Sequence, residues 1–225
     1  MSVVALVPAA GRGERLGAGV PKALVPVRGE PLLVHAVRGL LASGCVQRVV
    51  VAAPLSDVDT MVGVLASAGA DALVVPGGPS RTQSVRLALH AAMADVPDAT
   101  VVLVHDAARA FTPAGLVRSV VERVNSGSPA VIPVLPVADT IKRVDAHGVV
   151  AATPDRADLR IVQTPQGFRL DVLRRAYDAY PDDTTTDDAG LVERLGVGID
   201  TVPGDPHAMK ITTRFDLAVA EAVLG

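Results

Sequence analysis

Short valine-rich apolar runs alternate along the chain with segments of helical spacing. Within the helical segments the apolar residues recur every three or four positions, as at Leu33, Val37 and Leu40. This alternation is typical of βαβ units and of a buried, mostly parallel sheet with right-handed crossovers. The predicted strands cover residues 3–8, 48–53, 72–76, 101–105 and 130–134. We therefore predict an α/β fold with a doubly wound, mostly parallel, Rossmann-like sheet.

The alternation stops after the fifth strand. From Asp139 to about Thr164 the sequence is polar and alternating around a turn-like stretch at 145–148, which predicts a protruding β-hairpin arm. A two-stranded ribbon is marginal alone, so we expect the arm to pack on another surface, a second subunit being one candidate. Beyond it we predict helices at 170–180, after Thr186-Asp187 and at 214–224, and a strand at 209–212. We find no repeat or linker and expect one domain, 1–225, with an arm at about 139–164.

Composition excludes several classes of protein. A net charge of -3 over 225 residues, with 2% aromatics, argues against nucleic-acid binding, which needs surplus cations or stacking platforms. Mean hydropathy is +0.39, but no apolar run approaches the ~18 residues of a membrane span. The predicted first strand at Val3 leaves no room for a signal peptide. The single Cys45, expected to be a small buried hydrophobe, fits a reducing compartment, and we predict a cytoplasmic protein.

A glycine-rich stretch follows the first predicted strand. Gly11, Gly13, Gly17 and Gly19 are interspersed with cations that include Arg15 and, just beyond, Lys22. Such loops let backbone N–H groups approach an anion, and in open α/β sheets ligands bind at this strand end. The spacing matches neither the dinucleotide fingerprint nor the Walker loop. An anion-binding loop is favoured, and a turn without a ligand remains the alternative.

The loop resembles the nucleotidyltransferase signature, here PAAGRGERL at 8–16 followed by Pro21-Lys22. The further segments HDAAR, DTIK, TPQ and TDDA begin, in this order, at His105, Asp139, Thr164 and Thr186. Together they resemble the 2-C-methyl-D-erythritol 4-phosphate cytidylyltransferases of the non-mevalonate isoprenoid pathway over nearly the whole chain. The resemblance implies that CTP and methylerythritol phosphate give a CDP-alcohol and pyrophosphate. It also implies Mg²⁺ on the triphosphate and a homodimer formed through the arm.

The same resemblance implies roles for individual residues. The implied catalytic residues are Arg15, Lys22, Arg156 and Lys210. The implied nucleotide-binding residues are Pro8, Ala9, Ala10, Gly11, Gly13, Gly77, Gly78, Ser84 and Asp106, with Asp106 also the candidate metal ligand. The implied substrate-binding residues are Arg109, Thr140, Thr164 and Thr186.

Some positions have a second interpretation or depart from the family pattern. Pro79 stands where family members often carry an acidic or polar residue, and Ala208 replaces an asparagine. We interpret His105 as a packed imidazole and not as a general base. The segment that begins at Thr186 is equally consistent with a helix N-cap.

Three other functions remain as alternatives. A ribitol 5-phosphate cytidylyltransferase would share the loop and the HDAAR-like segment. A nucleotide-binding regulatory module would bind CTP without releasing pyrophosphate, and the retained cations argue against it. An NAD oxidoreductase is disfavoured by the glycine spacing.

Overall fold

The computed structural model describes residues 1–11, 19–180 and 185–223. Its central sheet has eight strands in the order β10-β7-β11-β6-β1-β4-β5, and β12 also pairs with β7. The strands of this sheet are β1 (Ser2–Pro8), β4 (Arg48–Ala53), β5 (Leu73–Pro76), β6 (Ala99–Val104), β7 (Ala130–Pro136), β10 (Arg160–Val162), β11 (Gln166–Arg169) and β12 (Asp200–Pro203). Two small ribbons pair β2 (Pro26–Val27) with β3 (Glu30–Pro31), and β8 (Arg143–Val144) with β9 (Val150–Ala152).

Helices cover both faces of the sheet. They are α1 (Leu32–Ala42), α2 (Val58–Ser67), α3 (Arg81–Asp95), α4 (Ala114–Asn125), α5 (Leu170–Ala179), α6 (Asp188–Glu193) and α7 (Arg214–Val223). Helices α1, α2 and α4 pack on one face, and α3, α5 and α6 pack on the other. In α4, Val117, Val120 and Val124 form one buried stripe because helical residues three or four apart share a face. No helix within the described ranges combines the length and apolar character needed to cross a membrane.

The predicted fold class is confirmed. Strands β1, β4, β5 and β6 pair in parallel, whereas β11 runs antiparallel between β6 and β7. The five predicted strands form with small shifts at their ends. The fourth, for example, is Ala99–Val104 and ends one residue before His105, although the His105 N–H still donates to the Leu6 carbonyl at 2.9 Å.

In the carboxyl-terminal third the three predicted helices form, as α5, α6 and α7, but the strands differ from the prediction. The strand predicted at 209–212 is wrong. This segment is not part of any strand, and its Ile211 N–H donates to the carbonyl of Ala108, which lies in the turn after β6. Strands β11 and β12 were not predicted. In β11, a Cβ at Gly167 would lie 2.5 Å from Cγ1 of Val120, so glycine permits the close approach of α4.

The predicted hairpin forms, but it is shorter than 139–164. The carboxylate of Asp145 accepts the N–H groups of His147 and Val149 and so shapes the turn between β8 and β9. The chain then returns to the main sheet, where β10 pairs antiparallel with β7. Three valines near the tip of the ribbon, Val144, Val149 and Val150, are more than half exposed. The ribbon therefore carries apolar surface that the chain itself does not cover.

Candidate active site

A cavity of about 730 Å³ opens at the carboxyl ends of β1, β5 and β6. This is the edge at which open α/β sheets bind ligands. Residues predicted to bind the nucleotide or to act in catalysis line the cavity, namely Pro8, Ala9, Ala10, Gly11, Lys22, Gly78, Ser84, Asp106 and Lys210. Further lining residues include Pro79, Ser80, Arg81 and Thr212. Sequence positions more than 200 residues apart therefore share one wall.

Lys22 lies at the start of a short 3-10 turn, Lys22–Leu24, and its N–H contacts the Gly11 carbonyl at 3.4 Å. Pro21 precedes this turn with an extended backbone, which separates it from the glycine-rich stretch. Lys22 thus lies on the cavity wall beside the end of β1, as an anion-binding role requires. Arg15 and Gly13 lie outside the described residues.

The loop after β5 is held tightly by Ser84. The buried Ser84 hydroxyl accepts the Gly78 N–H at 3.1 Å and lies 2.8 Å from the Ser80 carbonyl, to which it donates. Ser80 caps helix α3 by accepting the Gln83 N–H at 3.1 Å. A Cβ at Gly77 would lie 3.0 Å from the Ser84 hydroxyl oxygen, so the loop has no room for larger residues there. Ser84 therefore shapes the loop that contains the predicted nucleotide-binding residues Gly77 and Gly78.

Four charged side chains alternate in sign behind and along the cavity wall. Lys210 Nζ lies 2.7 Å from Oδ2 of Asp106, and an Arg81 terminal nitrogen lies 3.5 Å from Oδ1 of Asp106. The same Arg81 nitrogen lies 2.7 Å from Oδ2 of Asp188, whose side chain is fully buried. The tightest contacts thus pair Lys210 with Asp106 and Arg81 with Asp188.

These neighbours determine the protonation state of Asp106. Burial alone would raise the pKa of this carboxyl, but the charges of Arg81 and Lys210, with smaller help from Arg109, lower the pKa well below its usual range. The two carboxylates raise the pKa of the Arg81 guanidinium, against the opposing effect of burial. Asp106 therefore stays a carboxylate, and Arg81 a cation, at any physiological pH.

His105 is packed beneath the site, as predicted. Its side chain is almost wholly buried, and burial lowers its pKa to about 4. Its Nε2 faces the Arg109 carbonyl at 3.3 Å and its Nδ1 faces the Thr164 hydroxyl at 3.0 Å. Because a carbonyl can only accept, Nε2 carries the proton and Nδ1 accepts from Thr164. The ring is neutral and does not serve as a general base in this geometry.

Thr164 and Arg109, which were predicted to bind substrate, form hydrogen bonds to other parts of the chain. The Thr164 hydroxyl accepts the Asp106 N–H at 3.1 Å and is 5% exposed, so it supports Asp106 from below. Arg109 donates to the carbonyls of Ala208 at 2.7 Å and Val162 at 3.1 Å. Burial lowers the pKa of Arg109, an effect that Asp106 partly opposes. Within the single chain, both residues tie segments together and neither lines the cavity.

Three other predicted residues lie away from the cavity of their own chain. Thr140 and Arg156 are exposed at the arm, where Arg156 donates to the Ala138 carbonyl. Thr186 is exposed before helix α6, which Asp187 caps by accepting the Gly190 N–H at 3.1 Å. The helix-cap interpretation of this segment is confirmed.

No role was predicted for Arg81, and Asp188 was considered only as part of the segment that begins at Thr186, as a helix cap or a substrate contact. Arg81 closes the GGPSR run after the third predicted strand, and Asp188 lies inside the TDDA segment. The sequence feature that could have indicated them is that each is a charged residue at the start of a helix, Arg81 in α3 and Asp188 in α6, where a neighbouring element can bury it. Their pairing spans 107 residues, which no local pattern reveals.

Among the described residues, no group of three or more His, Cys, Asp or Glu side chains could hold a metal ion. Asp106 is the carboxylate among the cavity-lining residues. Mg²⁺ commonly retains several waters and binds one or two carboxylates together with substrate phosphates. A single carboxylate among the described residues that line the cavity suits an ion that arrives with a triphosphate.

Comparisons with known proteins agree with this geometry. A family model described as 2-C-methyl-D-erythritol 4-phosphate cytidylyltransferase matches residues 3–225. Curated proteins of that name from Saccharopolyspora erythraea and Nocardia farcinica are 68% and 57% identical to this chain. The first match covers 100% of both chains, and the second covers 99% of this chain and 94% of the relative.

Solved structures give the same result. The structure of 2-C-methyl-D-erythritol 4-phosphate cytidylyltransferase from Thermus thermophilus superposes with a TM-score of 0.78 at 35% identity, over 99% of this chain and 98% of that one. A 4-diphosphocytidyl-2C-methyl-D-erythritol synthase from Anaerococcus prevotii superposes with a TM-score of 0.85 at 26% identity and the same coverage. With sequence, fold and cavity in agreement over the whole length, the chain belongs to the 2-C-methyl-D-erythritol 4-phosphate cytidylyltransferase family.

Proposed function

We propose that the chain transfers the cytidylyl group of CTP to 2-C-methyl-D-erythritol 4-phosphate and releases pyrophosphate. The observation that carries the proposal is the cavity at the strand ends, where Lys22, Lys210 and the narrow loop at Gly78 meet in a chain whose family match is full length. Two lysines there suit a triphosphate. The tight glycine loop suits a base read by backbone groups.

The reaction needs positioning and charge stabilisation more than acid–base chemistry. An oxygen of the methylerythritol phosphate attacks the α-phosphorus of CTP, a new P–O bond forms, and the bond from the α-phosphorus to the bridging oxygen breaks as pyrophosphate leaves. The attacking phosphate is already an anion at neutral pH, so no base has to remove a proton. A neutral, buried His105 agrees with this step.

Lys22 and Lys210 supply positive charge where negative charge develops on the phosphates. In the free chain Lys210 pairs with Asp106, so a phosphate that binds Lys210 replaces or shares this partner. Arg15 is proposed to hold the β- and γ-phosphates with its planar guanidinium. The three cations together offset the charge on the transferring and leaving groups.

Asp106 is the residue that would hold Mg²⁺, in company with the phosphates of CTP. When bound, the ion neutralises triphosphate charge and so favours departure of pyrophosphate. Asp106 is suited to this role because its carboxylate stays ionised between Arg81 and Lys210.

We further propose that the protein acts as a cytoplasmic homodimer in which the arm meets a second copy. The exposed valines of the ribbon offer the apolar surface that such a contact needs. Arg156 and Thr140 lie on the arm, so a neighbouring subunit is the route by which they reach methylerythritol phosphate.

The decisive experiment measures pyrophosphate release from CTP with the purified chain. We expect turnover with methylerythritol phosphate and Mg²⁺, and little with ribitol 5-phosphate, with ATP, GTP or UTP in place of CTP, or in excess chelator. Binding of CTP without turnover would instead favour a regulatory module. Equal use of ribitol 5-phosphate would favour the closely similar family.

A further inference from the structure

Behind the cavity wall, Arg81 is held by a buried pair of residues that do not line the cavity themselves. Asp188 begins helix α6, and its side chain has no exposed surface. Tyr177 lies near the end of helix α5 and is 2% exposed. Both residues lie on the face of the sheet covered by α3, whose first residue is Arg81.

The two ion pairs of Arg81 differ in length, and the shorter one identifies its stronger partner. The Arg81 terminal nitrogen is 2.7 Å from Asp188 but 3.5 Å from Asp106. The firm partner of the guanidinium is therefore the buried carboxylate, and the cavity carboxylate is the looser one. Asp188 thus determines where the guanidinium lies relative to the cavity.

Tyr177 fixes Asp188 in turn. Its hydroxyl donates to Oδ1 of Asp188, while Oδ2 accepts from Arg81, so each carboxylate oxygen has its own donor. Burial and the charge of Asp188 raise the pKa of Tyr177, so this hydroxyl remains a donor at any working pH. The orientation of the carboxylate is thereby set from behind the site.

The backbone around Asp188 is anchored separately. Gln166 of β11 donates from Nε2 to Asp187 at 2.8 Å and accepts the Ala189 N–H at 3.0 Å. The first turn of α6 therefore stays attached to the sheet when a side-chain partner of Asp188 is removed. Loss of the Tyr177 hydroxyl should change the orientation of the carboxylate and leave the helix in place.

We propose that Tyr177 and Asp188 are positioning residues for the transfer reaction, which hold the Arg81 guanidinium against Asp106 on the cavity wall. The proposal rests on the proposed function of this cavity. It assigns to two buried residues on α5 and α6 an effect on catalysis that passes through Arg81. Neither residue has to touch a substrate.

The test is a double-mutant cycle between Tyr177→Phe and Arg81→Ala. We expect Tyr177→Phe to lower kcat/KM for CTP about fivefold, the change that corresponds to one hydrogen bond of ordinary net strength. In the Arg81→Ala background the same change should have no further effect. Tyr180→Phe is the matched control. The Tyr180 hydroxyl donates to the Arg194 carbonyl, with an O···O distance of 3.0 Å, and neither residue lines the cavity. It should leave kcat/KM unchanged.

Asp188→Asn is the second variant, since it keeps the shape but removes the charge that holds Arg81. Its loss in kcat/KM should exceed that of Tyr177→Phe, and thermal unfolding of each variant separates this loss from loss of folded protein. If Asp188→Asn does not fold, the Tyr177 cycle alone decides. An unchanged kcat/KM in Tyr177→Phe, or an equal loss with and without Arg81, would overturn the proposal.

The same cycle is measured on the dissociation constant for CTP by calorimetry. If the unaltered chain binds CTP but does not use methylerythritol phosphate, the proposed function fails while the binding cycle still decides on positioning. If the unaltered chain neither binds CTP nor turns over, both proposals fail.

Discussion

Replacing Gly78 by alanine tests whether CTP binding requires the close approach of the loop after β5 to helix α3. A Cβ at Gly78 would lie 2.6 Å from Cβ of Gln83, about 1 Å inside the ordinary contact distance between carbon atoms. One of the two backbones must therefore move by about that amount. Overpacking of this kind typically costs about 1–3 kcal/mol of stability. A displacement of about 1 Å in a positioning loop can cost on the order of a hundredfold in catalysis.

The assay is steady-state pyrophosphate release over a range of CTP concentrations, together with thermal unfolding. We expect Gly78→Ala to fold, with a melting temperature lowered by about 2–4 °C per kcal/mol, and to show a KM for CTP raised by at least about tenfold. Gly63→Ala is the matched control, since Gly63 lies within α2 and, in the part of the chain that the structure describes, a Cβ there would meet nothing within 4 Å. It should keep full activity and gain slightly in stability. A normal KM for CTP in Gly78→Ala would refute the argument that this loop reads the base.

Three further predictions follow from the site. Lys22→Ala should fold normally and lose about a hundredfold in kcat, because one cation that stabilises the transition state is worth on the order of 3 kcal/mol; near-normal turnover would remove Lys22 from the mechanism. His105 is buried with a pKa of about 4, while the unfolded chain binds a proton near pH 6.5, so the free energy of unfolding should fall by roughly 3 kcal/mol as pH drops from about 6.5 to about 4. Urea unfolding across this range should show a shallower loss in His105→Gln, and equal slopes would contradict the assignment. Mixing impaired Arg156→Ala chains with impaired Lys22→Ala chains should raise activity above that of either variant alone, since one site of the heterodimer would hold both residues; no recovery despite proven chain exchange would place Arg156 outside the partner's site.

The parts of the fold that sequence predicted are those with a strong local signal. Strands such as Arg48–Ala53 are continuous apolar runs, and the helix stripes recur at the helical period. Strand β11, QGFR, has a single large apolar side chain, Phe168, and β12, DTVP, contains a proline and an aspartate. These two strands form because neighbouring strands offer them partners, and that information is not local.

The residues of the candidate site likewise divide into those with a local sequence signal and those without one. Gly78, Lys22 and Asp106 were found because each follows directly on a recognisable strand or loop motif. The position of the Thr164 hydroxyl between Asp106 and His105 was not predicted, because only the packing of distant segments reveals it. The pairing of Arg81 with Asp188 was missed for the same reason.

The Arg109 guanidinium donates hydrogen bonds to two main-chain carbonyl oxygens, those of Val162 and Ala208. A main-chain carbonyl is present whatever side chain a position carries. These two hydrogen bonds are therefore kept when the side chain at position 162 or 208 is substituted. Ala208 lies two residues before Lys210, at the position where the family pattern has asparagine, and it is fully buried. Its carbonyl accepts the hydrogen bond from Arg109 although the asparagine side chain is missing. A side chain at position 208 therefore has to fit the buried space, whereas the hydrogen bond from Arg109 to the backbone at this position does not depend on which side chain is there.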